Sequence, residues 1–85
     1  MKRTDVTYGQ LDKVLRSLGF SCRTVFLQTK AHVYEHAETG ALIVLPVVGE
    51  RKKALPHHLA AVRGTLELFG IADPPDFAAE LQKAS

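Results

Sequence analysis

Residues 20–46 read FSCRTVFLQTKAHVYEHAETGALIVLP, and this stretch decides the fold. Cys22 to Gln28 is rich in β-branched and aromatic side chains, which suits an extended strand. Ala31 to Ala37 alternates, with His32, Tyr34 and His36 on one face and Val33 and Glu35 on the other. Glu38-Thr39-Gly40 reads as a short turn in which Gly40 is free to take positive φ. Ala41 to Leu45 is a continuous apolar run of the kind found in a central or well-covered strand, and Pro46 ends it. Three consecutive strands joined by short turns predict an antiparallel sheet.

Helical signals flank the strands. Thr7 and Gln10 have capping-box spacing, and Val6 and Leu11 stand where a hydrophobic staple would. Leu11, Val14, Leu15 and Leu18 form one apolar stripe, Lys13 and Arg16 fall on its outward side, and Gly19 stops the helix. Gly9 in the first turn is a mild penalty. Val47 to Ala54 is a connecting loop that carries Arg51-Lys52-Lys53. Pro56 opens a second helix with Leu59, Val62, Leu66 and Phe69 as its buried stripe, closed by Gly70. Asp73 caps a short third helix through Phe77 and Leu81. The expected class is α+β, in the order α-β-β-β-α, with the helices on one face of a three-stranded antiparallel sheet and a small C-terminal helix.

The 85 residues allow one domain, with a core at about 7–71 and a helical extension at 72–85. At 46% hydrophobic the chain carries enough apolar side chains to fold, which argues against disorder. The single cysteine, Cys22, cannot pair internally, so a reducing cytoplasm is the expected location, and its apolar strand context reads as a small core hydrophobe. The run from Ala41 to Val48 is too short for a membrane span. The basic start Met1-Lys2-Arg3 is followed by no apolar segment, so no signal peptide is expected. Residues 1–63 hold ten Lys+Arg against five Asp+Glu, a balance of +5, while 64–85 hold one against four, −3. A basic body with an acidic tail suits an anionic partner, although an ordinary mixed surface reads the same way.

Most enzyme classes lack their residues here. There is no G-x-S-x-G, no phosphate-cradling loop, no HExxH and no carboxylate cluster, so neither a metal nor a small-molecule cofactor is expected. His32 and His36 lie four apart on a strand, roughly 13 Å, too far to share one ion. His57 and His58 adjoin at a helix start, where neighbouring side chains point in different directions. His32 stays open as an acid or base or as an idle strand histidine. The face of His32, Tyr34 and His36 reads as a polar working surface. Lys2, Arg3, Arg23, Lys30 and the triplet Arg51, Lys52 and Lys53 could grip phosphates, the triplet being otherwise a solvated turn. Metal-free RNA cleavage survives this sorting, because the substrate brings its own nucleophile in the 2′-hydroxyl.

Leu11 to Phe20 resembles the opening helix and L-x-x-x-G-F ending of the HicA/YcfA-like family. Ala31-His32-Val33-Tyr34-Glu35-His36 is similar to its G-S-H strand, Ile43-Val44-Leu45-Pro46 to its third strand, and Leu59 to Ile71 to its second helix. The order and spacing of these blocks over residues 10–71 carry the resemblance. It implies an α-β-β-β-α fold like the double-stranded-RNA-binding domain, mRNA cleavage by a toxin of a toxin–antitoxin pair, His32 as the catalytic histidine promoting attack by the 2′-hydroxyl, and a HicB-like antitoxin as partner. The chain departs from the pattern where Lys30-Ala31 replaces Gly-Ser and where Val48 stands for a second histidine. A longer stretch from Phe20 to His32 also suggests an extended first hairpin. The rival expectation is a non-enzymatic module that keeps the fold and binds RNA or a protein.

Overall fold

A computed structural model describes residues 6–26 and 28–84. Lys2 and Arg3, expected phosphate contacts, and Leu27, expected in the first strand, lie outside the described residues. The elements run α1 (Tyr8–Ser17), β1 (Phe20–Phe26), β2 (Lys30–His36), β3 (Leu42–Pro46), α2 (Pro56–Leu68) and α3 (Pro74–Ala84). The fold is α+β as expected.

The capping box forms as the sequence predicts. Thr7 Oγ1 accepts the Gln10 N–H at 3.2 Å, and Gln10 Oε1 accepts the Thr7 N–H at 3.0 Å. Leu11, Val14 and Leu15 are buried, and Leu18 packs against them at the rim of the core. Gly19 (φ +99°) and Gly40 (φ +78°) make the two left-handed turns that bracket β1 and β2.

The sheet order is β1-β2-β3, antiparallel throughout. Seven residue pairs join β1 to β2, from Phe20 opposite His36 to Phe26 opposite Lys30, a long hairpin. β3 pairs with β2 alone, with Tyr34 opposite Ile43 and His32 opposite Leu45. All helical packing falls on one face, where Phe20, Tyr34, Ile43 and Leu45 meet Leu11, Leu15, Val62, Leu66 and Phe77. α3 packs chiefly on α1, where the Gln10 amide reaches the Leu81 carbonyl at 3.4 Å.

Three expectations are corrected here. β3 is an edge strand rather than a central one, and Leu42 and Val44 are 54% and 57% exposed, because no helix covers the second face of the sheet. Phe69 is exposed just past the end of α2, where the chain turns toward Gly70, while Ile71 packs against the core instead. Gly9 does more than lower helix propensity. A Cβ there would stand 3.0 Å from the Glu50 carbonyl oxygen, tighter than an ordinary contact, so a larger residue would press on the connecting loop where it approaches α1.

No helix among the described residues is long and apolar enough to cross a membrane.

Candidate functional site

The period-two alternation of β2 puts His32, Tyr34 and His36 on the face that the helices cover. The expected exposed polar surface is therefore the inner face, and each ring meets a different fate.

His36 is 8% exposed. Its Nδ1 lies 3.0 Å from Thr39 Oγ1, which also accepts the Ala41 N–H, and its ring stands 5.0 Å from that of Phe20. It closes the β2–β3 turn, and its burial removes it from the set of expected RNA contacts.

Tyr34 is 2% exposed and donates its hydroxyl hydrogen to Asp12 Oδ1 at 2.8 Å. Asp12 also accepts from Arg16 Nε, at 3.0 Å to each oxygen. Burial first, and the adjacent Asp12 carboxylate second, hold the Tyr34 phenol far above the usual tyrosine range. A phenol so placed keeps its proton and ties β2 to α1. It too leaves the expected RNA-contact set.

His32 is the one ring of the three left half-buried. Its Nδ1 lies 3.3 Å from Thr24 Oγ1, directly opposite on β1, and 3.7 Å from Cys22 Sγ. Its Nε2 has no partner among the described residues. His32 lines a cleft of about 130 Å³ together with Tyr8, Asp12, Arg16, Tyr34, Val48 and Glu50. Cys22 packs at the edge of the core, beside the histidine rather than deep among the apolar side chains. Lys30, exposed and two residues before His32, shares its strand face.

The basic loop is brought to the same region by the backbone. The first two N–H groups of α1, on Tyr8 and Gly9, donate to the carbonyls of Lys52 and Glu50 at 3.0 and 2.9 Å. The Ala54 N–H donates to the Val6 carbonyl at 2.7 Å, and Thr7 bridges Lys53. These bonds satisfy donors that a helix start leaves open. They also hold residues 50–54 beside the cleft, with Arg51, Lys52 and Lys53 exposed.

Tyr8, Asp12, Arg16 and His58 complete the site and were not among the residues expected there. The i,i+4 spacing of Asp12 and Arg16 signals an ion pair but not its place in a cleft. The Tyr8 hydroxyl lies 2.7 Å from His58 Nδ1 and accepts the Leu55 N–H at 3.2 Å. His57 and His58 do not diverge as expected, for their ring centroids are 4.2 Å apart. Burial, helped by the neighbouring His57, pushes the His58 imidazole below the usual histidine range.

The cleft is lined by one imidazole, one guanidinium, two carboxylates and two phenols, of which the Tyr34 hydroxyl is already committed to Asp12. Among the described residues no three His, Cys, Asp or Glu side chains gather to hold a metal ion. No family model, curated protein or solved structure matches this chain.

Proposed function

We propose that this chain is a HicA-like RNA-binding domain and a metal-independent endoribonuclease, in which His32 moves the proton. The observation that supports this reading is the half-buried His32, with Nδ1 against Thr24 and its ring in the lining of a cleft that Arg16 also lines. Cleavage requires the 2′-oxygen to lose its proton as it attacks phosphorus. The P–O5′ bond breaks as the P–O2′ bond forms, and the departing 5′-oxygen takes a proton from solvent, so the products are a 2′,3′-cyclic phosphate and a free 5′-hydroxyl. Nε2 of a neutral imidazole is the right acceptor near neutral pH. Arg16 is placed to stabilise charge on the phosphoryl oxygens, in competition with Asp12. Lys30 and the Arg51-Lys52-Lys53 loop would hold the flanking backbone. The fold order is that of a double-stranded-RNA-binding-type domain, a HicB-like antitoxin would cover the cleft, and a reducing cytoplasm suits the free thiol of Cys22.

His32→Ala should keep the thermal transition and RNA binding while abolishing cleavage measured in the presence of a chelator. Equal cleavage by the two proteins removes His32 from the chemistry. A second reading, a non-enzymatic RNA- or protein-binding module, is favoured by the Asp12 and Glu50 carboxylates in the cleft walls, which oppose a phosphodiester. That reading predicts no cleavage by the purified protein under any of these conditions.

A further inference from the structure

Asp12 and Glu50 each line two clefts, so the cleft of His32 adjoins a second one through them. The second is larger, about 440 Å³, and is lined by Gly9, Gln10 and Lys13 of α1 and by Arg51 of the connecting loop. At about 130 Å³ the His32 cleft is smaller than an ordinary ligand site of roughly 300–1,000 Å³, whereas its neighbour falls within that range. A strand seated at His32 has room to continue there.

Most polar groups of the second cleft are already committed. Thr7 and Gln10 serve the capping box, and Asp12 holds Arg16 and Tyr34. The N–H groups of Tyr8, Gly9 and Gln10 give to the Lys52 carbonyl, the Glu50 carbonyl and Thr7 Oγ1, so the helix start is satisfied within the chain. What stays open is charge. Lys13 and Arg51 are exposed and have no ion-pair partner among the described residues, and they share the cleft with the single carboxylate of Glu50. Two open cations against one carboxylate favour an anion, and ammonium and guanidinium groups both bind phosphate.

We propose that Lys13 and Arg51 together hold one phosphate of the RNA strand, the neighbour of the phosphate at His32. The inference rests on the reading of the His32 cleft as an RNA site and adds a second subsite to it. Arg16 serves the first cleft and the pair Lys13 and Arg51 the second, so the carboxylates shared by both clefts fall between phosphates rather than against one. The backbone bonds from Tyr8 and Gly9 to Lys52 and Glu50 fix Arg51 beside α1, which brings it to the cleft of Lys13.

The experiment uses the full chain carrying His32→Ala, so that bound RNA survives, and measures its affinity for one single-stranded RNA across a salt series. Each neutralised phosphate contributes about 0.7 to the slope of log affinity against log salt. Lys13→Gln and Arg51→Gln should each lower the slope by part of that amount, and the double variant by about 0.7, because the two side chains share one phosphate. Arg63→Gln, exposed on α2 and lining neither cleft, removes the same unit of charge and should leave the slope unchanged. A double variant that loses about 1.4 puts the two cations on different phosphates and overturns the inference. An unchanged slope overturns it too, as does a loss in Arg63→Gln equal to that in Lys13→Gln. Each of these results leaves the RNA site standing. No binding of the strand overturns the RNA reading and the inference with it.

Discussion

Tyr34→Phe isolates the bond that joins sheet to helix beneath the cleft. The substitution keeps the buried ring and deletes only the hydroxyl, which donates to Asp12 Oδ1 at 2.8 Å. A hydrogen bond to a charged acceptor contributes roughly 1.5–3 kcal/mol. Asp12 is not stranded by the loss, since it keeps Arg16 at 3.0 Å and is about a third exposed, at 33%, so water can replace part of the bond. The expected destabilisation is therefore about 1–2 kcal/mol, or roughly 5–12 °C in Tm for a domain of this size.

A second signature separates this bond from simple packing. An unfolded tyrosine ionises near pH 10, roughly its unperturbed value. The folded Tyr34 resists ionisation because burial and the Asp12 carboxylate raise its range. Its contribution is thus whole below about pH 10 and is lost as pH rises beyond, at up to about 1.4 kcal/mol per pH unit. Thermal melts by circular dichroism from neutral pH to pH 11 read both effects. Tyr34→Phe should begin less stable and then fall less steeply, so that the two proteins converge in alkali. A variant as stable as the parent at neutral pH, or one with an unchanged alkaline slope, refutes the role given to this bond.

Three further outcomes are expected. Because the folded His58 range is lowered, its contribution is present above about pH 6.5 and is lost as pH falls below; His58→Gln should flatten that acid limb of the stability profile. Gly19→Ala forces a Cβ into φ +99° and to 3.4 Å from His36 Nε2, which should cost about 1–2 kcal/mol by chemical denaturation. Replacing Arg51, Lys52 and Lys53 together by Ala should lower the slope of log affinity for single-stranded RNA against log salt by up to about two, and an unchanged slope removes the loop from the footprint.

Local signals carried most of the fold. The capping box at Thr7, the Leu11–Leu18 stripe, the positive-φ glycines and Pro56 each act within a few residues, so sequence spacing states them directly. The sidedness of β2 did not follow in the same way. Alternation says that His32, Tyr34 and His36 share a face, but polarity suggested that this face meets solvent. The partners that make it a covered face, Asp12 and Thr39, are a bond made across the fold and a bond made around a turn. The opposite face carries Leu42 and Val44, apolar yet open, so hydrophobicity alone pointed the strand the wrong way. Gly9 and the basic loop are a second case. The loop's place beside α1 is set by backbone bonds from Tyr8 and Gly9, which leave no trace in side-chain pattern except the glycine itself.

Three polar rings on the covered face of so small a sheet would each be costly without a partner. His36 is answered by Thr39 and Tyr34 by Asp12, and neither has anything left to offer a ligand. His32 is answered at only one nitrogen among the described residues, by Thr24 with Cys22 nearby, and the residue lines the cleft. A side chain chosen for stability alone at this position would be apolar, like its β3 neighbour Leu45. The half-satisfied imidazole is therefore the place where local stability and the rest of the design disagree, which is where function is expected to sit.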